Sequence, residues 1–562
     1  MARNSHPARR PLLALAAILS LLMVAPAAQA ATQAREADGL VESIGVNTHL
    51  GYTDTPYNNF PLVRQRLQEL GIRYIRDGVS QNRPDVYSRL RTLAGDGIRL
   101  DVIAGDPLQR WSIGTIDQQL DLIQKELGSS VVSIEGPNEY DLQGDRNWVP
   151  TLRSYTQKLW EGVKARPKLS GLPVLCPSIV TREDMAAAGD LSAWCDFGNT
   201  HTYLSGDMPE RESIWSGELG AAARNSASKP VQVTETGYHN GVNGNVGHQP
   251  CSEKATGIYM PRLFLENFRR GNTVRSFSYE LLDQRNDPGR TDIEANFGLL
   301  RNDLSKKPAA VAVERLIGLL SDRGSSFSPA SLAYSLEGAP STAQQLLLQK
   351  RDGSFYLVLW NRVSAWDRNS RTDVDPADVS VNLKLGQPVA SAEVFEPNVA
   401  AGPVASAANP TSLKLNLSER VQVIKLVPGG ESAPAPQPAP ESAPVPQPAP
   451  APAPAPAPTP VPTPAPAPAP APAPEPAPAP EPAPAPEQPS AIPTPTPAPV
   501  PSGDAVQPPS AAPVPAAPSH GRSGHGQQRP SKRSASRGPS GRGWAKSSAD
   551  RRRASARRAQ QG

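Results

Sequence analysis

The chain is poor in the residues that staple small folds or hold metals. It has three cysteines, Cys176, Cys195 and Cys251, among 562 residues. That is too few for a disulfide scaffold, and their spacing fits no zinc motif. They allow one disulfide with one thiol left over, and the sequence does not choose the pair. Histidine is equally scarce, with seven in the whole chain. His49, His201 and His239 fall in different loops without ligand spacing, so no metal centre is expected, and no cofactor; a zinc triad built from them is the weaker alternative. Long apolar runs are also missing. The one near the N-terminus, residues 12–24, is short for a bilayer span, and no second long run follows it.

What is present divides the chain by composition. A basic start (Arg3, Arg9, Arg10), the apolar run and Ala28-Gln29-Ala30 read as an export signal over 1–30. Residues 429–518 are almost entirely Pro and Ala, and 519–562 are dominated by Arg, Ser and Gly. Neither stretch has the apolar content to offset its ordering entropy, so both are expected to be disordered, the first as an extended polyproline II spacer. The tail holds twelve Lys and Arg against a single acid, Asp550, so the net charge of +4 belongs to the tail and the rest of the chain is net negative. A nucleic-acid partner is therefore not expected of the folded part. The basic tail is either a solvated extension without a binding role or a charge-based contact to anionic cell-envelope polymers, lipid headgroups or acidic polysaccharide. The expected mature protein is secreted or envelope-associated, with no transmembrane span.

Short β-branched runs alternate with longer helical patterns from residue 42 to 320. The strand candidates are 43–47, 74–77, 98–103, 131–134, 174–179, 196–200, 231–234 and 274–279. Between them lie helical stripes such as Leu62, Val63, Leu67 and Leu70, or Ile116, Leu120, Ile123 and Leu127. Gly71, Gly97 and Gly128 stand just past three of these helices, where a left-handed residue is favoured. Eight βα units in about 280 residues predict a (β/α)₈ barrel over 31–325. An open doubly wound sheet would more often carry a Gly-rich phosphate turn after its first strand, and Gly45-Val46-Asn47-Thr48-His49 is not one. From 326 to 428 six short alternating runs without helices predict a small antiparallel β-sandwich packed on the barrel.

On a barrel, side chains at the C-terminal strand ends line the functional face. Here they include His49, Arg76, Asp77, Asp106, Asn138, Glu139, Ser178, His201, Glu235 and either Tyr279 or Glu280. Such a rim suits a polyhydroxylated, uncharged ligand, and two carboxylates at strand tips suggest the acid and the nucleophile of a glycosidase. Trp111, Trp148 and Tyr140 follow strand ends in loops, where a flat ring can serve as a sugar platform or simply pack.

Gly136-Pro137-Asn138-Glu139 at the fourth strand and Thr234-Glu235-Thr236-Gly237 at the seventh resemble the two signatures of clan A glycoside hydrolases, retaining (β/α)₈ enzymes that include cellulases, β-xylosidases and exopolysaccharide hydrolases. Arg76 in Ile75-Arg76-Asp77-Gly78 is similar to their strand-two arginine, and His201-Thr202-Tyr203 to their strand-six His-x-Tyr. Asn296-Phe297-Gly298-Leu299 followed by Lys307-Pro308-Ala309 is similar to the link from their last strand into the last helix. Many members place a Trp at the end of strand eight, where this chain reads Tyr279-Glu280. The resemblance implies that Glu139 is the acid/base and Glu235 the nucleophile. It further implies that Arg76, Asn138, His201, Tyr203 and Tyr279 bind or orient a carbohydrate substrate; His49, Trp111 and Trp148 are added as substrate contacts from their places at or after strand ends. The other reading is a catalytically inactive barrel that binds carbohydrate or sits at the cell envelope.

Overall fold

A computed structural model describes residues 31–109, 113–245 and 247–429. The expected leader, the Pro/Ala segment beyond residue 429, the basic tail and Trp111 lie outside the described residues.

Seven parallel strands form one sheet: Ile44–Asn47, Tyr74–Gly78, Arg99–Ile103, Val131–Glu135, Gly198–Tyr203, Val231–Gly237 and Thr273–Ser278. The first strand pairs with both the second and the last, so the sheet curls back on itself. The gap between the fourth strand and Gly198–Tyr203 is closed by single bridges, Ile134 to Val174 and Leu175 to Phe197. The fifth of eight staves is thus a two-residue contact, shorter than the predicted run 174–179. Pro173 and Pro177 flank it and offer no N–H for a longer ladder. The result is a (β/α)₈ barrel.

Helices follow the strands where the apolar stripes predict them. Ile116–Leu122 begins with a capping box, in which Thr115 Oγ1 accepts from Gln118 N and Gln118 Oε1 accepts from Thr115 N. It continues through Leu127 as a π-helical turn. Gly71 and Gly97 follow their helices at φ 68° and 85°, the left-handed geometry expected of them. Cys176 and Cys195 form the disulfide, beside the two-residue stave, and Cys251 is a buried thiol.

Beyond the barrel stand two facing sheets. One has the order Ala31–Gln33, Ser331–Glu337, Val379–Leu385, Ser412–Leu417; the other runs Pro403–Ala408, Val389–Phe395, Gln422–Pro428, Phe355–Asn361, Ala343–Gln349, Arg35–Glu36. Their inner faces share an aliphatic core that includes Leu357, Leu359, Leu383, Leu417 and Ile424. Each sheet also takes an edge strand from residues 31–36, ahead of the barrel, a pairing too short to leave a periodic signal in sequence.

Phe355–Asn361 is buried along its whole length. Phe355, Leu357 and Leu359 enter the sandwich core, whereas Tyr356, Val358 and Trp360 join the barrel's helical core. A strand reading Phe-Tyr-Leu-Val-Leu-Trp is apolar on both faces because it has two cores to fill. The seam carries a buried ion pair. Arg262, on the helix Glu253–Arg270, donates through Nε and Nη2 to Glu210 at 2.9 and 2.6 Å, and Trp360 Nε1 donates to the same carboxylate at 2.7 Å.

Candidate active site

The C-terminal strand ends converge on Arg76. Its side chain is 3% exposed, yet it finds a partner for every arm of its guanidinium. It pairs with Glu135, donates from Nη1 to Asn47 Oδ1 at 2.8 Å and to Glu235 Oε1 at 3.0 Å, and from Nη2 to Asn138 Oδ1 at 2.7 Å. Burial alone would lower its pKa, but the charges of Glu135 and Glu235 outweigh that and hold it well above the ordinary arginine value.

Glu235, at the end of the seventh strand, is held on both oxygens. Oε1 accepts from Arg76, and Oε2 accepts the Tyr203 hydroxyl at 2.6 Å. Tyr203 ends the sixth strand and packs edge-on against Tyr279 and Phe297, with ring centroids 6.3 and 5.5 Å away. Tyr279 completes this aromatic wall and also meets His49 edge-on at 5.6 Å.

Glu139 lies just past the fourth strand with φ 44°, a left-handed conformation that costs a non-glycine residue on the order of 1–3 kcal/mol. Such strain persists where the surroundings impose it. Here the backbone N–H of Glu139 donates to Ser178 Oγ at 3.3 Å, and Oε1 lies 2.8 Å from His201 Nδ1. One oxygen of Glu139, one of Glu235 and a ring nitrogen of His201 all lie within 4.8 Å of one another.

The hydrogen bonds around His201 have a direction. Asn199 Nδ2 donates to Glu135 Oε2 at 2.8 Å, which leaves Asn199 Oδ1 to accept from Thr234 Oγ1 at 2.7 Å. The Thr234 hydroxyl has then spent its proton, so at 3.1 Å it accepts from His201 Nε2–H. His201 Nδ1 then faces Glu139 Oε1 at 2.8 Å and Glu235 Oε2 at 3.5 Å, and one proton is shared between that nitrogen and Glu139.

The other predicted residues are placed as follows. His49 stacks on Tyr52 at 4.6 Å, and its Nε2 stands 3.4 Å from Glu280 Oε2. Burial pushes the imidazole down to about 4, so it is neutral at ordinary pH. Glu280 accepts from Tyr57 Oη and Gln284 Nε2, at 3.1 and 2.7 Å, and complete burial raises it well above the carboxylate range. Tyr279 rather than Glu280 therefore stands in the aromatic wall. Trp148 opens the helix Trp148–Ala165 and packs on a satellite cluster that contains Leu152, Cys176 and Met185. Tyr140, 1% exposed, belongs to that cluster and offers no open ring face. His239 spends both nitrogens inside its own loop, on His248 O and Gly241 N. Asn47, Glu135 and Asn199 carry no signal in sequence beyond polarity inside strands otherwise buried, and Thr234 enters only as the first residue of the seventh-strand motif.

No protein-family model matches the chain, and no curated protein matches it. Solved structures similar to it are glycoside hydrolases. A family 39 glycoside hydrolase from the gut symbiont Bacteroides cellulosilyticus WH2 is 17% identical, with 69% of this chain and 82% of that one covered at a TM-score of 0.48. A monomeric β-xylosidase from Caulobacter crescentus CB15 is 16% identical, covering 71% of this chain and 98% of that one at 0.46. A glucosidase from Croceicoccus marinus is 8% identical, covering 65% and 92% at 0.47.

Proposed function

We propose that the chain is a secreted, retaining O-glycosidase that acts on a polysaccharide or oligosaccharide, with Glu139 as acid/base and Glu235 as nucleophile. The observation that carries this reading is the approach of the two carboxylates, whose nearer oxygens lie within 4.8 Å. Retention needs carboxyl groups about 5–5.5 Å apart, whereas inversion leaves about 6.5–9.5 Å for an intervening water.

The surroundings give the two groups unlike tasks. A guanidinium and a phenol on separate oxygens favour the anion of Glu235, the form that attacks. The directed chain from Glu135 to His201 favours a proton on Glu139, the form that donates. In the first step Glu139 passes its proton to the glycosidic oxygen as a Glu235 oxygen bonds to the anomeric carbon and the leaving group departs. In the second, the Glu139 carboxylate takes a proton from water, whose oxygen displaces Glu235 from the anomeric carbon. Arg76 occupies the oxygen of Asn138, so that side chain presents its N–H₂ as the donor for a sugar hydroxyl.

The proximity of Glu139, His201 and Glu235 also suits a bound cation. Against that reading, Arg76 already places a positive charge 3.0 Å from Glu235 and Tyr203 takes its other oxygen. One experiment separates these readings: turnover of a panel of aryl β-glycosides and polysaccharides by wild type, Glu139→Ala and Glu235→Ala, with azide and with EDTA. The expected result is hydrolysis with retained anomeric configuration, azide rescue of the variants and indifference to EDTA. Inverted product would remove the retaining assignment, EDTA sensitivity would favour the cation, and wild-type inactivity across the panel would leave the carbohydrate-binding alternative. For the basic tail we propose contact with anionic envelope polymers. Deleting 429–562 should leave turnover intact and abolish co-sedimentation with anionic cell walls.

A further inference from the structure

The sandwich sends one excursion to the barrel rim. Trp366–Asp367 pairs with Thr372–Asp373 in a small hairpin. Its turn is ordered by Asp367 Oδ1, which accepts from the N–H groups of Asn369 and Ser370 at 2.8 and 3.3 Å, and Arg371 sits in it at φ 54°. Three side chains leave this hairpin for the barrel. Arg368 Nη1 donates to Asp207 Oδ2 at 3.0 Å, and Arg371 Nη1 donates to the carbonyls of Val242 and Gly244 at 2.7 and 3.0 Å. Asp373 accepts from Ser252 Oγ, the residue that caps the next helix by accepting from Ala255 N.

These anchor points are not scattered. Asp207 follows the sixth strand, four residues after Tyr203. Val242, Gly244 and Ser252 follow the seventh, which carries Glu235. The two loops meet each other at the site: His248 stacks on the Tyr203 ring at 4.7 Å with 24° between the planes, and its Nδ1 lies 3.0 Å from Ser205 Oγ. Tyr203 in turn donates to Glu235. A rim stretch containing Gly241, Gly244 and Gly247 has much backbone freedom to lose. A guanidinium whose one nitrogen bridges two of its carbonyls removes that freedom through charge-assisted bonds.

We infer that this hairpin is a positioning element of the active site: Arg371, from the sandwich, holds the stretch after the seventh strand so that His248 covers Tyr203 and keeps its hydroxyl on Glu235. The effect on turnover rests on the glycosidase reading; the contact itself does not.

The test uses the full chain as wild type, Arg371→Ala, Arg371→Lys, Tyr203→Phe and the Arg371→Ala/Tyr203→Phe double variant. The first readout is the NMR shift of the His248 ring protons, assigned with His248→Gln. Arg371→Ala should remove their displacement by the Tyr203 ring current, with Tm and far-UV circular dichroism unchanged. The second is kinetics on an aryl glycoside. Arg371→Ala should lower kcat about tenfold while KM changes less than about threefold, Arg371→Lys should retain part of the rate, and the double variant should be no slower than Tyr203→Phe alone, because both act through one hydroxyl. Unchanged His248 resonances, or losses that multiply in the double variant, overturn the inference. If Arg371→Ala does not fold, Arg371→Lys carries the same two readouts, with intermediate shifts expected and wild-type values overturning it. If wild type hydrolyses nothing, the glycosidase reading fails alone and the His248 spectrum still decides the contact.

Discussion

Tyr203 and Glu235, on neighbouring barrel strands, are joined by a 2.6 Å hydrogen bond between two side chains that are almost entirely buried. A bond from a neutral hydroxyl to a carboxylate is worth about 1.5–3 kcal/mol when nothing replaces it. Tyr203→Phe keeps the ring in its aromatic wall and removes only this bond. We expect kcat/KM on an aryl glycoside to fall by roughly 10- to 100-fold with Tm within a few degrees of wild type. A fall of less than about threefold would show that the hydroxyl is dispensable to Glu235.

Thr234→Val interrupts the directed chain between Asn199 and His201 without changing side-chain volume much. His201 then loses the acceptor of its Nε2 proton, and on the proposed reading Glu139 loses the partner that favours its acid form. The expected outcome is a drop of about tenfold in kcat on substrates with poor leaving groups, which need the acid, and little change on activated aryl glycosides. Thr234→Ser should restore the chain. Equal losses on both substrate classes would argue against a role in acid catalysis.

Asp101 lies inside the barrel, accepting from Ser133 Oγ and Gln232 Nε2 at 2.7 and 2.9 Å. Burial first, and then the charge of Glu135, raise it to about 7. Its folded pKa is above its unfolded one, so its contribution to stability is complete below about pH 4 and is lost as pH rises through about 7. Asp101→Asn should therefore unfold at nearly the same urea concentration as wild type at pH 4 and at a higher one at pH 8.5. A gap that shrinks with rising pH would contradict the sign.

Among the described residues Glu210 is the sole carboxylate paired with Arg262 at the seam, where both are wholly buried. Glu210→Ala leaves the guanidinium without its counter-charge, at a cost of about 3–5 kcal/mol. Because the pair joins a barrel helix to Trp360 of the sandwich, calorimetry should show one transition in wild type and two in the variant. A single transition at the wild-type Tm would mean that the apolar seam alone couples the two parts.

Much of this architecture is legible in the chain because barrel strands are short apolar runs at regular intervals, and motif residues mark their exits. The signal fails where structure depends on partners far away in sequence. The fifth stave is flanked by Pro173 and Pro177, and its two bridging residues are strand only because Ile134 and Phe197 lie on either side. Residues 31–36 show no alternation long enough to read. Register at the eighth strand could not be settled from Phe277-Ser278-Tyr279-Glu280, since a one-residue slip exchanges the faces; Tyr57 and Gln284 decide it by taking Glu280. Glu139, Glu235 and Arg76 stood out as charged groups beside apolar runs. That one guanidinium serves both Glu135 and Glu235 depends on distances across the barrel, which no local pattern encodes.

The pairing of residues 31–36 with strands beyond residue 330 makes the sandwich a buckle closed by segments on either side of the barrel. A ribosome releases the first of those segments about 300 residues before the second exists. The sheets can therefore be completed only after the entire barrel has been synthesised, and the earliest strands must wait unpaired until then. Cutting between barrel and sandwich would not free two autonomous modules, because each sheet would lose an edge strand to the other fragment.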